Sequence, residues 1–245
     1  MKQKTGRFFG VGVGPGDPEL ISLKAVRILR SVHTIFAAAS SANTHSIAMK
    51  IAAPHLPDGT PVIRLSFPMT SDRNALRQCW KQNTSHIVEE LEKGRDAAFI
   101  TLGDPLTYST YGYIVREMKT RASHVDIRTI PGIASYQAAA ARINVPLAEG
   151  EESLLILSGA KGGEHLRRLG SQAENIVMLK TYRRFQDIHS ALEEMDLVEN
   201  TVCISSCGQP DERITTDIRT IKDAKQNYLT MLIIKNDKTN SFSHQ

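Results

Sequence analysis

Cysteine, aromatic side chains and long apolar runs are all scarce in this chain of 245 residues. Three cysteines, an odd number, cannot close a disulfide framework. The basic start, Met1 to Lys4, runs into Phe8-Phe9-Gly10-Val11-Gly12-Val13, too short and too glycine-rich for the apolar stretch of a secretory signal. A cytoplasmic protein is expected. No stretch approaches the roughly 18 apolar residues of a membrane-spanning helix, so no membrane role is expected either. Neither sign of charge dominates, since 30 Lys and Arg face 26 Asp and Glu for a net +4; this mild excess suits an anionic partner or plain solvated basic faces. Aromatics total 6% and do not interleave with a basic stripe, which argues against nucleic-acid binding. The eight histidines are dispersed without the i, i+4 spacing of a metalloprotease helix. Cys203 and Cys207 lack zinc-knuckle spacing and a second pair, so they read as buried strand thiols and no bound metal is expected. The single tryptophan, Trp80, reads as packing.

What is present is ordinary globular material, 41% hydrophobic and 23% charged, in a length that allows one large domain or two small ones. Short apolar runs alternate with glycine or proline turns and longer helical patterns, the signature of βα units. Strands are expected at Phe8–Val13, Thr34–Ala39, Ala97–Leu102 and Val125–Ile130. Helices are expected at Pro18–Leu29 with Asp17 as its cap, and at Thr44–Ala53, Asn74–Lys93 and Ser135–Arg142. After Gly150 the pattern changes, with strands at Ser153–Leu157, Asn175–Leu179, Thr201–Ser205 and Tyr228–Ile234 and a helix at Phe185–Met195. A second α/β lobe is expected there, with the linker over Asn144–Glu152, giving an α/β fold of two lobes spanning 1–140 and 141–237 and a polar tail over 238–245.

Gly10-Val11-Gly12-Val13-Gly14-Pro15-Gly16-Asp17-Pro18 follows a strand and opens a helix, which invites a dinucleotide-binding reading. Its register refuses one: with glycines wanted at offsets 0, 2 and 5, the third falls on Pro15 or on Asp17. No Gly-Lys-Ser or Gly-Lys-Thr follows, which excludes a phosphate loop. What remains is a loop poor in side chains at a strand's carboxyl end, where a ligand can approach the backbone. Leu102-Gly103-Asp104-Pro105 and Ile130-Pro131-Gly132-Ile133 also end apolar strands. In a parallel sheet such ends share the edge where open α/β folds bind ligands. Asp104, followed by the hydroxyls of Thr107, Tyr108, Ser109, Thr110 and Tyr111, reads either as a site residue or as the cap of a helix starting after Pro105.

These motifs resemble those of the tetrapyrrole (corrin and porphyrin) methyltransferases. The residues carrying the resemblance are Gly12 to Leu20, Thr101-Leu102-Gly103-Asp104-Pro105 and Ile130-Pro131-Gly132-Ile133-Ala134-Ser135. Phe67-Pro68-Met69-Thr70 and Leu102 to Tyr111 are similar to the branch that methylates carbon 20 of precorrin-2 or cobalt-precorrin-2 in cobalamin (vitamin B12) biosynthesis. The resemblance implies the class III methyltransferase fold, two α/β lobes with S-adenosylmethionine folded in an inter-lobe cleft. It leaves S-adenosylhomocysteine as product, and it implies a homodimer. Carried over by position, Leu102, Gly103, Asp104, Thr107, Gly132, Ala134 and Ser135 meet the methionine part of the cofactor. Leu179, Lys180, Thr181 and Tyr182 lie beside the adenosine, Cys207 and Gly208 on its other side, Thr230 and Met231 complete the adenine pocket, and Pro15 stands near the substrate. The Cys207-Gly208-Gln209-Pro210 loop departs from the family's commoner Arg-Glu-Gly-Thr style.

Methyl transfer from a sulfonium to carbon is a direct displacement that needs alignment in a dry cleft and no covalent nucleophile. The methylated carbon must then lose its hydrogen, for which Asp104 is the expected general base, with Tyr108 and His45 as alternatives. Arg64, Arg73, Arg77, Lys81, Arg183 and Arg184 are candidates for the carboxylate arms of a polycarboxylate tetrapyrrole. Two other classes stand beside this one. A related methyltransferase acting on uroporphyrinogen III, another precorrin position or the diphthamide precursor is opposed by the Phe67–Thr70 and Thr107–Tyr111 motifs. A non-catalytic tetrapyrrole-binding or chelatase-like protein would have no use for Gly103, Gly132 and Lys180.

Overall fold

The computed structural model describes residues 5–39, 46–68, 70 and 72–236. The alternative base His45, the start of the Thr44 helix, Met69 and the tail 238–245 lie outside them. The chain divides into two compact units, Met1–Ala134 and Ser135–Gln245, with the division ahead of the expected linker.

The first unit is a parallel sheet of β1 (Phe8–Gly12), β2 (Thr34–Ala39), β3 (Val62–Ser66), β4 (Ala97–Thr101) and β5 (Ile127–Ile130). Its strand order is β3-β2-β4-β1-β5. Helices α1 (Leu23–Ser31) and α2 (Ile47–Ala52) cover one face, and α3 (Arg73–Glu92) and α4 (Tyr111–Arg121) cover the other. Successive strand residues serve opposite faces, as the two-residue period of a strand requires. Ala98 and Ile100 pack with Leu29 and Ile51 on one side, whereas Phe99 joins Phe8, Ile87 and Tyr111 on the other.

The expected helix Pro18–Leu29 is broken in two. Asp17 accepts the Glu19 amide and caps only a single 3-10 turn over Pro18–Leu20. Ile21 and Ser22 are extended, and Ser22 then accepts the Ala25 amide as the true cap of α1. The strand β3 was not expected, and the helix considered after Pro105 begins only at Tyr111, as α4. Thr110, not Asp104, precedes α4, so the capping role considered for Asp104 does not exist.

The second unit contains α5 (Ser135–Ile143), β6 (Leu154–Ser158), α6 (Glu164–Leu169), β7 (Asn175–Leu179), α7 (Phe185–Glu194), β8 (Thr201–Ser205), β9 (Arg213–Thr215) and β10 (Thr230–Lys235). Its sheet order is β6-β7-β10-β8-β9. Only β6 and β7 run parallel; β10 is antiparallel to both β7 and β8, and β9 is antiparallel to β8. Met178, Cys203 and Leu232 face α6 and α7, whereas Val177, Ile204 and Met231 face α5. As expected from the sequence, Cys203 and Cys207 are buried, although Cys207 lies in the loop beyond β8 and not on a strand; burial pushes their thiols up to about 12 and about 11.

Where β1 and β4 begin, Asp96 ties the strands together. It accepts the Arg7 amide at 2.7 Å and the Arg7 guanidinium at 3.0 and 2.6 Å. Burial acts to raise the Asp96 carboxyl, but the Arg7 contacts outweigh it and hold the group below its ordinary range. A carboxylate depressed in the folded state stabilises above its unfolded pKa and stops doing so as pH falls through the folded value. Asp96→Asn is therefore expected to lower the urea midpoint at neutral pH and to flatten its decline between about pH 5 and about pH 2. An acid limb identical to that of the unaltered protein would refute this.

Candidate active site

In a parallel sheet the strands deliver their carboxyl ends to one edge, and three adjacent strands here do so with a glycine-bearing loop each. Beyond β1, β4 and β5 these loops pack backbone against backbone. The Val13 amide donates to the Thr101 carbonyl at 3.0 Å, and the Gly103 amide to the Gly14 carbonyl at 2.7 Å, closing an isolated antiparallel bridge. A Cβ on Gly12 would stand 2.6 Å from the Gly103 carbonyl oxygen and 2.7 Å from the Gly132 nitrogen. One on Gly132 would collide with the same Gly103 oxygen. Any side chain at these positions forces the loops apart, because the obstructing atoms are main chain and have no rotamer to change.

Asp104 completes the junction. Its Oδ1 accepts the Leu106 amide at 2.8 Å and the Thr107 hydroxyl at 3.3 Å, while Oδ2 accepts the Gly132 amide at 3.3 Å. One half-buried carboxylate thus holds its own loop in a turn and latches it to the loop after β5. Tyr108, partly exposed, follows in a left-handed conformation with φ 52°. Pro15, Leu102, Gly103, Asp104, Thr107, Gly132 and Ala134 all belong to this first-unit assembly. Ser135 begins α5 and belongs to the second unit.

The remaining site residues gather in the second unit through a different geometry. Because β10 runs against β7 and β8, the ends of β7 and β8 and the start of β10 share one edge of the sheet. Leu179, Lys180, Thr181 and Tyr182 leave β7 there, Cys207 and Gly208 follow β8, and Thr230 and Met231 open β10. The buried Thr181 hydroxyl donates to the Thr230 carbonyl at 2.9 Å. The Thr230 hydroxyl donates to the Asn227 carbonyl at 2.7 Å and pairs with the Ser205 hydroxyl at 2.8 Å. Tyr182 meets Tyr228 edge to face at 5.1 Å, with the Arg183 guanidinium over its ring at 5.4 Å. Desolvation holds the Lys180 ammonium below its usual value. Lys180 and Ser206, each directly after its strand, adopt φ of 61° and 52°, conformations that non-glycine residues seldom take.

The sequence reading missed Asn227, Tyr228, Asp211 and Glu212, which brace these loops. The two consecutive acids after the Gly-Gln-Pro turn were the available signal, since carboxylates commonly anchor the amides of such a turn. Trp80, read as packing, is half-buried and stacks on Tyr113 at 4.2 Å. Among the described residues Arg73, Arg77 and Lys81 are exposed along one stripe of α3 and enter no ion pair. Among those residues no group of three or more His, Cys, Asp or Glu gathers as a metal site, and no helix is long and apolar enough to cross a membrane.

Residues 7–222 match the sequence profile of the Tetrapyrrole (Corrin/Porphyrin) Methylases. The chain belongs to this family. It is 36% identical over 181 residues to a probable cobalt-precorrin-2 C(20)-methyltransferase of Methanocaldococcus jannaschii, covering 74% of this chain and 75% of that one. It is 29% identical over 219 residues to the cobalt-precorrin-2 C(20)-methyltransferase of Salmonella typhimurium, covering 89% and 91%. In fold this tetrapyrrole methylase is similar to the uroporphyrin-III C-methyl transferase of Thermus thermophilus, solved in complex with S-adenyl homocysteine. The TM-score is 0.67 at 20% identity, over 94% of this chain and 97% of that one.

Gly12→Ala is expected to cost at least about 2 kcal/mol of stability, because the added methyl meets backbone atoms of two other loops. Chemical denaturation of the variant beside the unaltered protein measures this, and a loss below about 0.5 kcal/mol would show that the loops separate freely.

Proposed function

We propose that this protein methylates carbon 20 of precorrin-2 or cobalt-precorrin-2 in cobalamin biosynthesis, with S-adenosylmethionine as the methyl donor. Family membership and the names of its two sequence relatives support the reading. The observation in the fold that carries it is the meeting of three glycine loops at Gly12, Gly103 and Gly132, packed backbone to backbone beside Asp104 at the carboxyl edge of the sheet. The residues fit an adenosylated sulfonium in two ways. Asp104 adds an anionic group to the glycine loops, where an electropositive sulfur is favoured. In the second unit, the Gln209 carboxamide nitrogen is buried without a partner among the described residues, a donor suited to a polar ligand.

S-adenosylmethionine, when bound, supplies an electrophilic methyl group that an electron-rich ring carbon can take without a protein nucleophile. The chain's own work is to bind, orient and deprotonate. In this proposal Pro15, Leu102, Gly103, Asp104, Thr107, Gly132, Ala134 and Ser135 bind the methionine part and the reacting side. Leu179, Lys180, Thr181, Tyr182, Cys207, Gly208, Thr230 and Met231 bind the adenosine. Asp104 takes the proton that the methylated carbon releases; its oxygens keep free lone pairs beside the hydrogen bonds they already accept. Tyr108 is the alternative base. The same reading carries a homodimer working in the cytoplasm, with the dimer to be checked by light scattering.

Mass spectrometry of the product formed from metal-free and cobalt-loaded precorrin-2 tests the assignment. Addition of one methyl at carbon 20 supports it, and a methyl at another ring position or no transfer overturns it. Asp104→Asn is expected to lower turnover on the order of a hundredfold at saturating donor, the scale of a lost general base. Full turnover in that variant, or its collapse in Tyr108→Phe instead, would remove Asp104 from the role.

The stripe of Arg73, Arg77 and Lys81 on α3 supplies unpaired cations for the carboxylate arms of the tetrapyrrole. Replacing Arg73 and Arg77 together by Gln is expected to raise KM for the tetrapyrrole about tenfold while leaving affinity for S-adenosylhomocysteine unchanged. A tetrapyrrole KM that stays put would assign these arginines to the solvated surface.

A further inference from the structure

The loop after β8 is tied into a tight turn in which Ser206, Asp211, Glu212 and Asn227 have no role in the proposed function. Ser206 stands in its left-handed conformation, the Gln209 amide donates back to the Ser206 carbonyl at 2.9 Å, and the Glu212 amide donates to the Gln209 carbonyl at 3.0 Å. The Ser206 hydroxyl donates to Asp211 at 2.9 Å and accepts from the Asn227 side chain at 3.0 Å. At the centre is Glu212, whose side chain is only 13% exposed. Its Oε2 accepts the Gly208 amide at 2.7 Å, and its Oε1 accepts Nε of Arg142 at 2.6 Å. The buried thiol of Cys207 lies against the same carboxylate; burial first, and then Glu212, push that thiol upward, so it stays protonated.

Arg142 is 70 residues away in sequence and comes from α5, whose first residue is Ser135. Seven residues separate the two along the helix, about two full turns, so Ser135 and Arg142 share one face of α5. The turn that Glu212 braces also keeps the Gln209 carboxamide nitrogen buried and without a partner among the described residues. A buried donor in that state carries a desolvation penalty that a ligand acceptor relieves.

We infer that Glu212, clamped by Arg142, is a positioning residue that holds the Cys207–Gln209 turn in the conformation that receives the nucleoside part of the cofactor. The inference rests on the proposed function, which puts Cys207 and Gly208 beside the adenosine. Chemically, Glu212 does for this loop what a capping carboxylate does for a helix start. It gathers an exposed guanidinium, a backbone amide and a thiol on one anion, so the turn cannot open without stranding a buried charge. Arg142, 64% exposed on its side chain, supplies the counter-charge from outside the loop, where its loss leaves the core packing untouched.

Calorimetric titration of S-adenosylhomocysteine into the full chain tests this. Glu212→Gln is expected to weaken binding about tenfold and Arg142→Ala about threefold to fivefold, with Arg142→Lys recovering most of the loss. The double variant Arg142→Ala with Glu212→Gln should bind no worse than Glu212→Gln alone, because both changes break one interaction. In turnover the expected signature is a raised KM for the methyl donor with a much smaller change in kcat, a split that a general loss of folded protein does not produce. Should Glu212→Gln fail to fold, the Arg142 pair carries the test. Normal affinity in Arg142→Ala, or in a folded Glu212→Gln, overturns the positioning role while the proposed function stands. No binding by the unaltered chain overturns both.

Discussion

The approach of three backbones at Gly12, Gly103 and Gly132 is the constraint on which the first unit's site depends. Parallel strands at ordinary spacing do not bring their following loops into contact. Here the loops touch because the positions where they meet carry no Cβ. Asp104 then becomes effective: its two oxygens reach its own turn and the neighbouring loop only because the gap between them is one backbone wide. The carboxylate that the functional reading makes a base is also the latch of the junction. Chemistry and architecture are therefore coupled there, and a change at residue 104 must be read through both affinity and turnover.

The second unit brings the residues assigned to the cofactor together by another route. Its sheet is mostly antiparallel, so the end of one strand and the start of the next arrive together, and short hydroxyl side chains do the joining. Thr181, Ser205 and Thr230 form a chain of hydrogen bonds across three strands with hardly any volume spent on side chains. Beyond them Glu212 gathers the next loop. Bare backbone in one unit and short polar links in the other both bring loops together with little side-chain volume.

Much of this could be read in the sequence, and the failures have identifiable causes. Buried parallel strands such as Ala97–Thr101 are continuous apolar runs bounded by glycine or proline, so their positions were legible within a residue or two. The edge strand Val62–Ser66 was not, because its exposed side alternates Val, Arg and Ser and gives no apolar run. Ser22 looked like an interior helix residue, although a serine at that position caps as readily as Asp17 does. After Pro105, five residues that suit a helix start by composition instead form turns through Tyr108, and α4 waits until Tyr111. The glycine loops of the site were visible because each sits at a strand end. The Arg142–Glu212 brace was not, since a pairing across 70 residues leaves no local pattern.

Lys180 and Ser206 carry a consequence for how this sequence can change over time. Each stands in a left-handed backbone conformation at the first position beyond a strand, where a non-glycine residue costs of order 1–3 kcal/mol unless its surroundings enforce it. Selection for heat resistance alone would favour glycine at both places, since glycine takes that conformation without steric cost. A lysine and a serine in these slots mark where the chain gives up some thermal margin to keep a particular side chain. At these two positions the demand for durability and the retention of a particular side chain pull in opposite directions.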